Sequence, residues 1–180
     1  MPASAIIVRA RLPAPLERAR RSSVGEAARG LPAHLTLLHP FVEPSRLDAA
    51  VRRTVAAVAA RHAPIAYRLV GLARWPGVLY VGLDPVEPFV AIQSELAAAF
   101  PAYPIYGETE PFDFVPHITI AEAPEVDLVE GLVAASAAST RTLFPRLARA
   151  AALEVITDDG DGWRVLWRIP LRGRGGRDAR

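Results

Sequence analysis

A histidine followed two residues later by a threonine occurs twice in this sequence, in "PAHLTLL" (Pro32 to Leu38) and in "VPHITIA" (Val115 to Ala121). In a β-strand, residues i and i+2 point to the same face. His34 and Thr36 therefore project together while Leu35 and Leu37 face a core, and His117 and Thr119 do the same in front of Ile118 and Ile120. Two such strands side by side would line one cleft with two imidazoles and two hydroxyls. That set suits phosphoryl transfer, which needs a base for the attacking oxygen, an acid for the leaving oxygen and donors for the non-bridging oxygens. A free imidazole titrates at about 6.5, so one histidine can be neutral and the other protonated close to neutral pH. No metal and no cofactor is called for.

The two histidines lie 83 residues apart in a chain of 180, so each half carries one motif in a similar place. That spacing reads as an internal duplication of architecture. Around the motifs the expected elements are a strand over Ala5 to Leu12 ended by Pro13 and Pro15, and a basic helix over Leu16 to Arg29. A helix follows the first motif, with Ser45 as its cap and Asp48 in its first turn, and stops before Pro64. "IAYRLVGLARW" and "VLYVGLD" form a hairpin through Pro76 and Gly77. "EPFVAIQSELAAAF" is an amphipathic helix, and a long Pro- and Tyr-rich loop, Pro101 to Asp113, precedes the second motif. A helix over Val126 to Ala138 and two strands, "ALEVIT" and "WRVLWRIPL", on either side of "DDGDG" complete the pattern. Mixed strands and helices without strict βαβ alternation indicate an α+β fold with antiparallel sheets.

Composition narrows the chemistry. The sequence has no cysteine, which removes disulfides, thiolate nucleophiles and thiolate metal sites. All 21 basic residues are arginine. Without lysine there is no Schiff base, no lysyl-adenylate and no P-loop lysine, so an ATP-dependent ligase using a covalent lysine is excluded. A formal net charge of +2 makes the molecule as a whole a weak polyanion binder, so an anion site must be local. No apolar run of ~18 residues and no signal peptide is visible, so the default is a cytoplasmic protein without a membrane span.

At the two motifs the sequence resembles the 2H phosphoesterase superfamily, named for its paired H-x-T/S motifs, and most closely its 2′-5′ RNA ligase-like branch. The aromatic-rich "YPIYGETEPFDF" before the second motif and the closing "WRVLWRIPL" fit the same branch, and the resemblance runs from about Ala5 to Leu171. It implies a bilobal fold with pseudo-twofold symmetry: two antiparallel sheets with flanking helices around a central cleft, forming a single domain over residues 1–171. It implies opening of 2′,3′-cyclic phosphates or 2′-5′ linkages in nucleotides or RNA ends. Carried over by motif, His34 and His117 are the acid/base pair and Thr36 and Thr119 the phosphate-binding hydroxyls. Without lysine, any RNA ligation would be the reversal of cyclic phosphate opening. The partner expected is a nucleotide or an RNA terminus bearing a cyclic phosphate, met by a monomer; the alternative is a catalytically silent module that binds the same ends.

Other residues divide between binding and packing. Tyr106, Phe112 and Phe114 are candidates for stacking on a base, with Tyr106 first, and Arg9 on the first strand could reach a phosphate. His39 departs from the aromatic expected there; a regular strand would turn it away from His34 and Thr36, so it reads as a packing or capping residue. A metal set of His34, His39 and His117 is the weaker alternative. His62 ends a helix, where its cation suits the dipole. The last residues, 172–180, read as a disordered basic tail.

Overall fold

Both histidine–threonine segments are β-strands, and each stands at the edge of its sheet. The computed structural model describes residues 3–107, 113–123, 125, 127, 130–131 and 143–173. In chain order its elements are β1 (Ala3–Arg9), α1 (Ala14–Ser23), α2 (Gly25–Ala28), β2 (His34–Leu38), α3 (Ala49–Arg61), β3 (Ile65–Trp75), β4 (Val78–Asp84), α4 (Glu87–Ala99), β5 (His117–Glu122), β6 (Arg146–Ala150), β7 (Ala152–Asp158) and β8 (Trp163–Pro170). The described strands form two four-stranded sheets, ordered β2-β1-β7-β8 and β5-β4-β3-β6. Every neighbouring pair is antiparallel. The α+β architecture with two antiparallel sheets is as expected.

The two halves repeat one plan. In the first, β1 leads through α1 to the motif strand β2, which pairs back onto β1. In the second, β4 leads through α4 to the motif strand β5, which pairs back onto β4. Each helix then crosses to the other lobe: α1 packs on β5 and α4 packs on β2. The Ser23 hydroxyl fastens one of these crossings by donating to the Ile120 carbonyl at 2.8 Å. One cluster of buried apolar side chains draws on both sheets, from Leu35, Leu37 and Val155 in the first to Leu69, Leu79 and Ile118 in the second. The lobes share a core, which holds the two motif strands against each other.

Helix α4 shows how much that shared core contributes. Phe89 is fully buried and meets the Tyr67 ring edge-on at 5.3 Å. Phe89→Ala is expected to destabilise the fold by about 3–5 kcal/mol through lost burial and a residual cavity. A urea denaturation midpoint at constant m-value checks it.

Several local expectations change. The basic helix does not run from Leu16 to Arg29. It starts earlier, at Ala14, with a proline in its first turn, where the missing N–H has no helical partner to lose. It breaks at Val24, which is extended, before the single turn of α2. Asp48 rather than Ser45 caps α3, its carboxylate accepting from the N–H groups of Ala50 and Val51 at 2.8 and 2.9 Å; Ser45 sits in a separate 3₁₀ turn. Strand β6 was not legible, because an edge strand reading "RLARA" shows solvent an exposed leucine, Leu147. The expected helix over Val126 to Ala138 falls largely outside the described residues. The chain stays attached through Gly173, whose N–H donates to the His62 carbonyl at 2.9 Å; the remainder of the expected tail, 174–180, lies outside the described residues.

Candidate active site

The pattern of burial is the same in both motifs. In β2, Leu35 is buried between the half-buried His34 and Thr36, and then Leu37 and Leu38 are both buried. In β5, Ile118 is buried between the half-buried His117 and Thr119, and then Ile120 and Ala121 are both buried. Two consecutive buried residues break the alternation of a regular strand. The cause is a register shift immediately after each threonine: Ile7 opposes Thr36 while Ile6 opposes Leu38, and Tyr80 opposes Thr119 while Leu79 opposes Ala121. Each shift leaves one extra residue, Leu37 or Ile120, and such bulges re-aim side chains next to functional sites.

Each imidazole is held by the same local bond. Nδ1 of His34 lies 2.8 Å from the Pro32 carbonyl oxygen, and Nδ1 of His117 lies 2.8 Å from the Val115 carbonyl oxygen. A carbonyl only accepts, so each Nδ1 carries the proton and donates. That leaves Nε2 of each ring as the atom free to take or give a proton. Both rings, with Thr36 and Thr119, line one cleft of about 460 Å³. Thr36 Oγ1 lies 3.1 Å from His34 Nε2.

Burial pushes the His34 imidazole down from 6.5 to about 4; the Pro32 bond opposes this, and the nearby charges of Arg20, His117 and His39 add to it. Burial also lowers His117, against the bond to Val115. The unfolded chain therefore binds more protons than the folded one between about pH 6.5 and about pH 4, so stability is complete above this window and lost as pH falls through it. His34→Gln is expected to flatten this part of the stability profile, as measured by denaturation near neutral pH and in mild acid.

The family model described as the 2′-5′ RNA ligase superfamily matches residues 8–162, which include both motifs. The chain belongs to the 2′-5′ RNA ligase superfamily. The resemblance to the 2H phosphoesterases is thereby borne out. Among solved structures, TT0787 of Thermus thermophilus is similar over 96% of this chain and 100% of its own, with a TM-score of 0.63 and 22% identity. E. coli LigT complexed with 3′-AMP is similar over 95% of this chain and 99% of its own, with a TM-score of 0.55 and 17% identity. At these identities the likeness is one of fold. No curated protein matches the chain.

Around the paired motifs, this superfamily member places further groups that sequence reading passed over. Arg20 of α1 is 2% exposed and lines the cleft. Its Nη2 donates to the Leu31 carbonyl at 2.5 Å. Its Nη1 is buried and makes no hydrogen bond among the described residues; the Glu17 carboxylate stands 3.8 Å away. A buried guanidinium in the wall of the cleft places a positive charge beside the two motifs. In sequence Arg20 is one of several arginines in a basic helix, and only the crossing of α1 over β5 singles it out.

Two indoles stand on opposite lobes. Trp75, at the end of β3, has its ring 4.8 Å from that of His117 and 4.1 Å from that of Tyr80, and Tyr80 is 5.5 Å from His117. Trp163, at the start of β8, donates Nε1–H to Glu26 Oε2 at 2.5 Å. Both indoles line the cleft. The sequence reading treated them as strand residues, because nothing in their spacing marks a face.

The sequence candidates separate. Tyr106 lines the cleft together with Thr36; burial raises its phenol pKa and the Thr36 side chain opposes this. Its backbone is left-handed, with φ 56°, and its N–H donates to the His39 carbonyl. A non-glycine residue in this region carries strain that surrounding structure must support, and such residues cluster at functional sites. Phe114 is half-buried against the core and does not line the cleft. Phe112 lies outside the described residues. Arg9 turns to Glu154, its Nε 2.9 Å from Oε2, and is not among the cleft residues. His39 is a correction: it lines the cleft, because β2 ends at Leu38 and the strand alternation that would have turned it away no longer applies. Its Nδ1 lies 3.2 Å from the Ser4 carbonyl oxygen and its ring is edge-on to Trp163. Among the described residues no group of three or more His, Asp or Glu is placed to hold a metal ion, and no helix is long and apolar enough to cross a membrane.

Proposed function

We propose that this protein is a phosphodiesterase that opens 2′,3′-cyclic phosphates of nucleotides or RNA ends by two-histidine acid/base catalysis without a metal. The observation that carries the reading is the matched pair of Nδ1–carbonyl bonds at His34 and His117, which turn two Nε2 atoms toward one cleft. His34, neutral over the physiological range, takes a proton from the attacking water as the water oxygen bonds to phosphorus. His117, entering the step protonated, gives its Nε2 proton to the ribose oxygen that leaves. The charge of a bound phosphate raises both imidazole pKa values and so opposes the lowering by burial at His117. Thr36, Thr119 and Arg20 hold the non-bridging oxygens. The product is a phosphate monoester on the 2′ or the 3′ oxygen. With a ribose 5′-hydroxyl in place of water, the same groups would join two ends through a 2′-5′ linkage. Membership in the 2′-5′ RNA ligase superfamily and the 3′-AMP complex of the E. coli relative support a nucleotide in the cleft.

The test is turnover of a 2′,3′-cyclic nucleotide in EDTA, with the products resolved as 2′- and 3′-phosphates. Turnover with one regioisomer formed is the expected result. Binding without turnover would make the chain a silent module for nucleotide ends, and turnover abolished by EDTA would return His39 to a metal site.

A further inference from the structure

We propose that a band of arginines leading away from the cleft binds the phosphodiester backbone of an RNA strand whose 3′ end occupies the cleft. This rests on the function proposed above and adds the length of the substrate to it. The band begins beside the first catalytic candidate. Arg9 is the residue directly opposite His34 in the β1–β2 register, so the two side chains leave the same face of the sheet. Across the next two strands that face carries Glu154, which opposes Arg168. From β2 to β8 is three strand spacings, about 14 Å, which gives room for a few nucleotides.

A groove of about 420 Å³ runs along this face between the two sheets, and Arg9, Arg11, Arg146, Arg149 and Arg168 line it. Arg168 also lines a second groove, of about 590 Å³, in which Arg52, Arg53 and Arg172 continue the series along α3. The shared arginine stands at the margin of both grooves. Eight guanidiniums thus line the two grooves with one carboxylate among the lining residues, Glu154, which Arg9 and Arg168 approach at 2.9 and 3.9 Å; Asp48, at the start of α3, also acts on Arg53. Among the described residues Arg11, Arg52, Arg53, Arg146, Arg149 and Arg172 make no ion pair. All six are exposed. Elsewhere Arg61 is paired with Glu95, Arg68 with Asp84 and Arg74 with Glu130, while the exposed Arg18 and Arg46 stand singly without an ion pair among the described residues.

A net charge of only +2 over the whole molecule therefore conceals a concentrated positive strip. Like charges crowded without partners repel one another, and a polyanion laid along them relieves that repulsion. A single strand fits better than a duplex, because the strip begins beside a cleft that takes one terminus.

The experiment compares the full-length protein with Arg146→Glu/Arg149→Glu and with Arg52→Glu/Arg53→Glu. It measures binding of a short labelled single-stranded RNA ending in a 3′-phosphate over a range of salt, and hydrolysis of a 2′,3′-cyclic mononucleotide alongside. Expected are RNA binding at least tenfold weaker in either variant, a logarithmic salt slope smaller by about 0.7 for each phosphate no longer neutralised, and mononucleotide turnover unchanged. Milder Arg→Gln pairs at the same positions, shown to unfold at the wild-type temperature, should weaken binding in the same direction. Wild-type affinity in both variants would overturn the proposal, as would equal binding of a circular RNA of the same length, which has no end to place in the cleft. Preference for an acidic peptide over RNA would assign the band to a protein partner and overturn it too. If the wild type binds RNA along the band but does not turn over the 2′,3′-cyclic mononucleotide, the proposed chemistry fails while the band stands.

Discussion

Alanine at His34 or at His117 is expected to lower kcat on a 2′,3′-cyclic nucleotide by about 10²–10⁴-fold. The double variant should lose little more than the worse single one, because the two groups act in one concerted proton transfer. The roles separate with a substrate whose leaving group needs no proton, such as an aryl phosphodiester. His117→Ala should recover most of its activity on it, since the acid is no longer required. His34→Ala should not, since water must still be deprotonated. The pH profile carries a second sign. A base held down near 4 by burial stays competent well below the ordinary imidazole value, so the acidic limb of kcat/KM should lie below about pH 6.5. Equal losses on both substrates in both variants would refute the assignment of base and acid.

Arg20→Met is expected to lower kcat by about 10²–10³-fold, the range for removing one preorganised donor from a developing charge. Stability should change little. The side chain gives up one hydrogen bond to Leu31, about 1 kcal/mol, but a buried cation without a full set of partners is also removed. Activity and stability therefore part company at this position. A purely structural role predicts the reverse, a lower unfolding midpoint with kcat preserved in the folded fraction. A further readout separates the cases. The Arg20 charge helps to hold His34 low, so the acidic limb of kcat/KM should move upward in Arg20→Met and stay in place in Arg20→Lys, which keeps the charge but loses the planar fork.

The duplicated H-x-T was legible because its information is local. A period of two in a strand forces His and Thr onto one face whatever surrounds them, and the buried Leu35 and Ile118 behind them confirm that face. The hairpin at Pro76-Gly77 and the strands on either side of "DDGDG" were legible for the same reason: turn residues with restricted or permissive backbones act within a few positions. The bulges after Thr36 and Thr119 were not, since a bulge is a relation between two strands and leaves no fixed residue type. His39 was placed wrongly for a separate reason, because the strand alternation was carried past Leu38, where β2 ends.

What the sequence determined by itself is the inventory and the pairing of reactive groups: two imidazoles and two hydroxyls in matching halves, no lysine, no cysteine, and a family that these motifs identify. What only the tertiary structure decided is which other side chains share that space. Arg20 enters because α1 crosses to the opposite lobe, the two indoles because β3 and β8 carry their ends to one cleft, and the arginine band because strands and a helix distant in sequence line neighbouring grooves. Each of these depends on contacts between residues far apart in the chain, which burial of the shared core brings about and which no local period records.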